Sequence, residues 1–84
     1  MQRYAVGVNQ GDYWATWKLM QLQTHWLLHH GTSGIFMPEA DIGGHYAHEE
    51  LDDELCIRWA FLGAFTPIMR SHGHNWRCKL PWGF

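Results

Sequence analysis

GIFMPEADIGGH, residues 34–45, is the stretch on which the fold turns. Gly34 to Met37 predicts a short apolar strand, Asp41 places a carboxylate at its mouth, and Gly43-Gly44 then remove the side chains beside the turn. In an extended segment residues 39 and 41 project to the same side, so Glu39 competes with Asp41 for the place this strand opens into.

Working outward, Arg3–Val8 (RYAVGV) predicts a strand that breaks at Asn9-Gln10-Gly11-Asp12. Tyr13 to His30 predicts a helix, because Ala15, Leu19, Leu22 and Trp26 recur at i, i+4, i+7 and i+11 and so share one face. His29 and His30 suit the negative end of that helix, and Gly31 supplies its stop. Glu49 to Phe65 predicts a second helix with five acids in its first turns, a Glu54–Arg58 pair and a buried stripe of Leu55, Trp59 and Leu62. Pro67 ends it, Pro67 to Arg70 predicts a third strand, and Ser71-His72-Gly73-His74 is a polar loop. Strands alternating with helices imply an α/β fold with parallel strands and crossover helices.

The polar residues after the three strands are Asp12, Asp41 and His72, which are 29 and 31 positions apart. A (β/α)₈ barrel of ~250 residues repeats about every 31 and carries its active-site groups on the loops after different strands, at one face. That spacing predicts convergence of Asp12, Asp41 and His72 at one mouth. Three units cannot close a barrel, so residues 1–84 read as a single partial domain, about three β/α units of a TIM barrel. Its open edges and uncovered interior would need the missing barrel strands for stability.

Composition narrows the function. The chain is 46% hydrophobic with six Trp, which excludes a disordered or low-complexity segment. Its six Lys and Arg are scattered and the formal charge is −2, so the footprint of a nucleic-acid binder is missing. Trp59 to Phe65 is far short of the ~20 apolar residues that span a bilayer. No leader pattern stands at the start, and Cys56 and Cys78 form neither a CxxC pair nor a disulfide framework, so a reducing, cytoplasmic setting is the default expectation.

Asp12 and Asp41 at one face could supply a carboxyl pair of the kind that flanks a glycosidic bond during hydrolysis; the structural alternative is that each caps a helix or turn. His45, His48 and Glu49, with His72 and His74, raise a second possibility, a His-rich metal-binding protein. The spacing fits neither HExxH nor HxxEH, and no metal or other cofactor is expected. Cys56, beside a buried stripe, reads as a small core residue. Trp76 and Trp82 suit either a core or a stacking face for a sugar ring.

These residues resemble glycoside hydrolase family 31, the retaining α-glucosidases and α-xylosidases, through QRYAVGVNQGD (2–12), SGIFMPEADIGGH (33–45), DELCIRWAFLGAFTPIMRSHG (53–73) and PWGF (81–84). The resemblance implies a (β/α)₈ barrel and a carbohydrate substrate, an α-glucoside or α-xyloside. It also implies that Asp12, in the segment matching Trp-x-Gly-Asp, is the acid/base, which must hold a proton to deliver it. Asp41 of Asp-Ile-Gly-Gly and His72 of Arg-x-His would bind sugar hydroxyls. The family's nucleophile lies on an earlier strand, so no residue of this chain takes that role and the isolated segment is expected to be inactive. Four positions depart from the pattern: Asn9 replaces Trp, Pro38-Glu39 replaces Trp-Gly, and His45 replaces Phe. A remnant that binds sugar through Asp41 and His72 without turnover is the alternative from another class.

Overall fold

The computed structural model of the chain describes residues 7–46 and 52–73. Its elements run β1 (Val8–Asn9), α1 (Trp17–Thr32), β2 (Pro38–Ile42), α2 (Asp53–Gly63) and β3 (Ile68–Ser71). The strands form one sheet in the order β1-β2-β3, parallel throughout, with Asn9 opposite Glu39 and Asp41 opposite Arg70. Helices therefore cross over between neighbouring parallel strands, as the alternation of patterns predicts.

Each helix starts at a side-chain cap. Thr16 is extended (φ −133°, ψ 151°) and its Oγ1 accepts from the Leu19 N–H at 3.2 Å. Asp52 does the same for α2, accepting from the Glu54 N–H at 3.0 Å, with Asp53 and Glu54 in the first turn. At the end of α1 the Ser33 N–H returns to the His29 and His30 carbonyls, and the left-handed Gly34 (φ 83°) turns the chain away. Arg58 and Glu54 pair at 3.0 Å on the exposed side of α2, where such a pair contributes little.

Several predicted boundaries move. Helix α1 runs through Gly31 to Thr32, so the left-handed Gly34 and not Gly31 marks its stop; α2 is Asp53–Gly63 rather than Glu49 to Phe65, because Asp52 caps it; and β3 is Ile68–Ser71 rather than Pro67 to Arg70. Two further shifts bear on the site. Helix α1 begins at Trp17 rather than Tyr13, because Tyr13 and Ala15 give their backbone groups to another segment. The Tyr13 carbonyl accepts from the N–H groups of His45 (2.7 Å) and Tyr46 (3.1 Å), and the Ala15 N–H donates to the Tyr46 carbonyl at 2.6 Å. Strand β2 is Pro38–Ile42, not Gly34 to Met37, and every one of its residues is buried while Phe36 is 70% exposed. Polar residues occupy this buried strand because Glu39 and Asp41 find partners on the strands beside it. Asp41 thus lies within β2, next to its last residue, rather than in the loop beyond. The predicted segments 3–6, 49–51 and the C-terminal tail, with His48, Glu49, His74, Trp76, Cys78 and Trp82, lie outside the described residues.

Strand alternation divides β2 between two tasks. Ile42 joins Tyr13, Leu55 and Trp59 in the core, against which Ala15 packs from the segment before α1 and Leu19, Met20, Trp26, Ala60 and Leu62 pack from the helices. Of the predicted stripes, Leu19 and Trp26 of α1 and Leu55, Trp59 and Leu62 of α2 face the core, with Cys56 buried beside them, while Leu22 is half-buried and lies outside that cluster. Glu39 and Asp41 take the other face.

At the core's centre runs a polar chain. The Trp59 Nε1–H donates to Gln23 Oε1, Gln23 Nε2 donates to the Tyr13 hydroxyl at 2.5 Å, and that hydroxyl accepts from the Asp41 N–H at 3.1 Å. Burial pushes the Tyr13 phenol up to about 12, so it remains a neutral hydroxyl at physiological pH.

The turn after β2 depends on its paired glycines. Gly43 and Gly44 are both left-handed (φ 81° and 71°), and a Cβ on Gly44 would lie 2.8 Å from both the Cα and the N of Ala15. Backbone strain and a backbone clash therefore coincide at Gly44, and the close approach is to the Trp14–Ala15 segment. Gly44→Ala should lower stability by about 2–4 kcal/mol, read as a fall in the urea midpoint at unchanged m-value.

Candidate active site

Three strand ends and one loop build the site. After β1, the left-handed Gly11 (φ 90°) sends its N–H back to Asn9 Oδ1 at 2.6 Å, a tight Asx turn that delivers Asp12. Strand β2 supplies Asp41 and β3 runs directly into His72. The loop after β2 adds His45, which the hydrogen bonds to Tyr13 hold against the Asp12 segment. One ligand atom from each of Asp12, Asp41, His45 and His72 falls within 4.8 Å of all the others. The three residues that the sequence singles out are therefore brought together, with His45 as a fourth.

Their surroundings differ. The Asp12 side chain is 48% exposed, with Oδ1 3.5 Å from His45 Nδ1. The His45 ring lies between its neighbours, with centroids 4.9 Å from His72 and 4.4 Å from Tyr46. Asp41 is 1% exposed, and Arg70 Nε donates to its Oδ1 at 2.8 Å. A buried carboxylate bonded to a guanidinium is held in place and offers its remaining lone pairs to a ligand.

Beneath Asp41 on the same face of the sheet lies Glu39. The Asn9 amide donates to Glu39 Oε2, and Arg70 Nε is 3.3 Å from Glu39 Oε1, so one arginine serves two carboxylates. Burial raises the Glu39 carboxyl above its ordinary range; the hydrogen bond and charge of Asp41 add to the rise, and Asn9 and Arg70 oppose it. The bond to Asp41 in turn holds the Arg70 guanidinium more firmly protonated.

The sequence reading missed Arg70 as the partner of Asp41, which the parallel register of β2 and β3 sets opposite it. It also missed Gln23, a polar residue amid the apolar stripe of α1, for which periodicity gives no signal. Of the residues in the metal reading, His45 and His72 come together while His48, Glu49 and His74 lie outside the described residues; the group that could hold a divalent cation adds Asp12 and Asp41 to those two histidines, a mixed N/O set drawn from four segments. Among the described residues no helix is long and apolar enough to cross a membrane.

Comparison with known proteins gives a consistent result. The description Glycosyl hydrolases family 31 TIM-barrel domain matches residues 1–84. The chain is 38% identical over 85 aligned positions to Alpha-glucosidase 2 of Bacillus thermoamyloliquefaciens, covering 100% of this chain and 10% of that protein. It is 44% identical over 62 positions to intestinal sucrase-isomaltase of Oryctolagus cuniculus (74% of this chain, 3% of that one). With Alpha-xylosidase 1 of Arabidopsis thaliana it shares 38% over 64 positions, 76% of this chain and 7% of the relative. The chain therefore spans about a tenth or less of the length of these relatives.

Proposed function

This chain belongs to the glycosyl hydrolases of family 31, and we propose from that premise that it is three β/α units of a catalytic barrel that hydrolyses α-linked sugars with retention. The observation that carries the proposal is the convergence of Asp12, Asp41 and His72 from the ends of three consecutive parallel strands to within 4.8 Å. In a (β/α)₈ barrel that end of the strands is the catalytic face.

The chemistry divides by environment. Asp12, half exposed at the mouth, delivers its proton to the glycosidic oxygen as the bond to the anomeric carbon breaks. A second carboxylate, supplied by another part of the intact barrel, attacks that carbon and forms the glycosyl-enzyme. Asp12, now ionised, takes a proton from water as the water oxygen displaces the carboxylate and releases the sugar. Asp41, buried and tied to Arg70, accepts from sugar hydroxyls instead of reacting, and His72 contributes a second polar contact. Other strands of the barrel would cover Phe61, Phe65 and Met69, which are exposed here.

The test uses the intact polypeptide that carries this barrel segment, with a nitrophenyl α-glucoside for turnover and D-glucose for binding. Turnover together with glucose binding is the expected result. Binding without turnover would replace the hydrolase reading with that of a sugar-binding remnant. Asp41→Ala should weaken glucose binding at least about tenfold, because it removes a charged acceptor from a buried site; an unchanged affinity would overturn the role given to Asp41.

A further inference from the structure

Two departures from the family pattern touch each other. Asn9 stands where the family has Trp, Glu39 stands where it has Gly, and the Asn9 amide donates to the Glu39 carboxylate. The part that matters chemically is Glu39, a second acid beneath the proposed sugar ligand Asp41.

Counting donors shows what it does. Glu39 and Asp41 are both buried, and among the described residues their charged partner is one guanidinium, Arg70, at 3.3 Å and 2.8 Å. Among the described residues no hydrogen bond reaches Glu39 Oε1 or Asp41 Oδ2, so both carboxylates keep unused acceptor capacity. We propose that Glu39 is a positioning residue for Asp41, and that the division of Arg70 between the two carboxylates sets how strongly Asp41 accepts from a bound sugar hydroxyl. This rests on the reading of Asp41 as a sugar ligand given above.

The two protonation states behave differently. With Glu39 ionised, Arg70 is shared and Asp41 keeps acceptor strength for the ligand. With Glu39 protonated, Arg70 belongs to Asp41 alone and the Glu39 hydroxyl donates to it as well, so Asp41 is saturated and a weaker acceptor. The carboxyl is raised by burial and by Asp41, which brings this exchange above the ordinary range of a glutamate, about 4.3. The groups facing Glu39 are Asn9 from β1, Asp41 on its own strand and Arg70 from β3; at the mouth beyond Asp41 stand Asp12, His45 and His72.

Glutamine at position 39 is a fixed copy of the protonated state. Glu39→Gln in the intact polypeptide should bind D-glucose about three- to tenfold more weakly than wild type at a pH where Glu39 is ionised. The part of the pH dependence that Glu39 causes should vanish, with wild type falling to meet the variant as the pH drops. Stability should move the opposite way. A raised carboxyl binds its proton more tightly in the folded state, so wild type loses stability as pH rises from the unfolded value through the folded one. Glu39→Gln should therefore melt higher than wild type at a pH where Glu39 is ionised, with the advantage shrinking as falling pH protonates Glu39. Asn9→Ala, which removes a donor that favours the ionised form, should shift the fall in wild-type affinity to higher pH. A residue with only a structural role would lose stability and affinity together at every pH, and that outcome overturns the proposal. So does an unchanged glucose affinity in Glu39→Gln. If Asp41→Ala also leaves glucose binding intact, the sugar-ligand reading has failed; if Asp41→Ala abolishes it while Glu39→Gln has no effect, only the positioning role has.

Discussion

Asp12→Asn should reduce kcat/KM for an unactivated α-linked disaccharide by about 10²–10⁴ in the intact polypeptide, while D-glucose affinity and thermal stability stay close to wild type. The loss follows from what the carboxyl supplies. A sugar hydroxylate is a poor leaving group, and without a proton delivered to the glycosidic oxygen the bond must break against that full charge. For a nitrophenyl α-glucoside the leaving group needs little protonation, so kcat/KM, which reports formation of the glycosyl-enzyme, should fall much less. The remaining defect then appears in kcat, because the base that activates water is also missing. Azide, which attacks the glycosyl-enzyme without base assistance, should restore kcat for the nitrophenyl substrate and leave the disaccharide slow. Stability is spared because the Asp12 side chain is 48% exposed. Equal losses on both substrates would show that Asp12 binds or orients rather than transfers a proton.

The sequence makes some of this visible for definite physical reasons. Helix faces were legible because Leu55, Trp59 and Leu62 repeat with the helical period and the structure places them at the core. Parallel strands were legible because the alternation of patterns leaves few other topologies. The place of β2 was not, because apolar residues are the usual mark of a buried strand and here they form the exposed approach to it, Phe36 included. Pro-Glu-Ala-Asp-Ile can be a fully buried strand only when Asn9 and Arg70 answer its two acids, and those partners lie 30 and 29 residues away. Long-range polar pairing leaves no local periodic trace. The start of α1 failed partly in the same way, since Tyr13 and Ala15 are held out of the helix by His45 and Tyr46, although Thr16, the cap, is a local mark of the true start. The convergence of Asp12, Asp41 and His72 was legible because it depends on repeat spacing, which tolerates errors of a few residues in each boundary.

Trp59 should be among the costliest positions in the chain to truncate. Trp59→Ala should destabilise by about 3–5 kcal/mol, because its ring is wholly buried, lies 5.9 Å from and nearly parallel to that of Tyr13, and sits in the core with Ile42 and Leu55. Trp59→Phe separates the polar part of that cost from the apolar part. It keeps most of the aromatic surface but deprives Gln23 Oε1, at a side chain with no exposure, of its donor, and should cost about 1–3 kcal/mol beyond the lost ring area. Gln23→Leu alone should cost a comparable amount, since it strands the Trp59 N–H and frees the Tyr13 hydroxyl to rotate. The double variant Trp59→Phe with Gln23→Leu removes both members of the bond, and its cost should fall below the sum of the two single changes. Urea denaturation of the four proteins measures the coupling. Full additivity would show that the chain from Trp59 through Gln23 to Tyr13 is not energetically connected. The same variants report on function, because Tyr13 ends that chain at the Asp41 backbone, accepting from its N–H at 3.1 Å. If the network sets the height of Asp41 in the strand, Gln23→Leu should weaken glucose binding under conditions where the protein is still fully folded. Tyr13→Phe, which removes the bonded oxygen itself, should weaken it further.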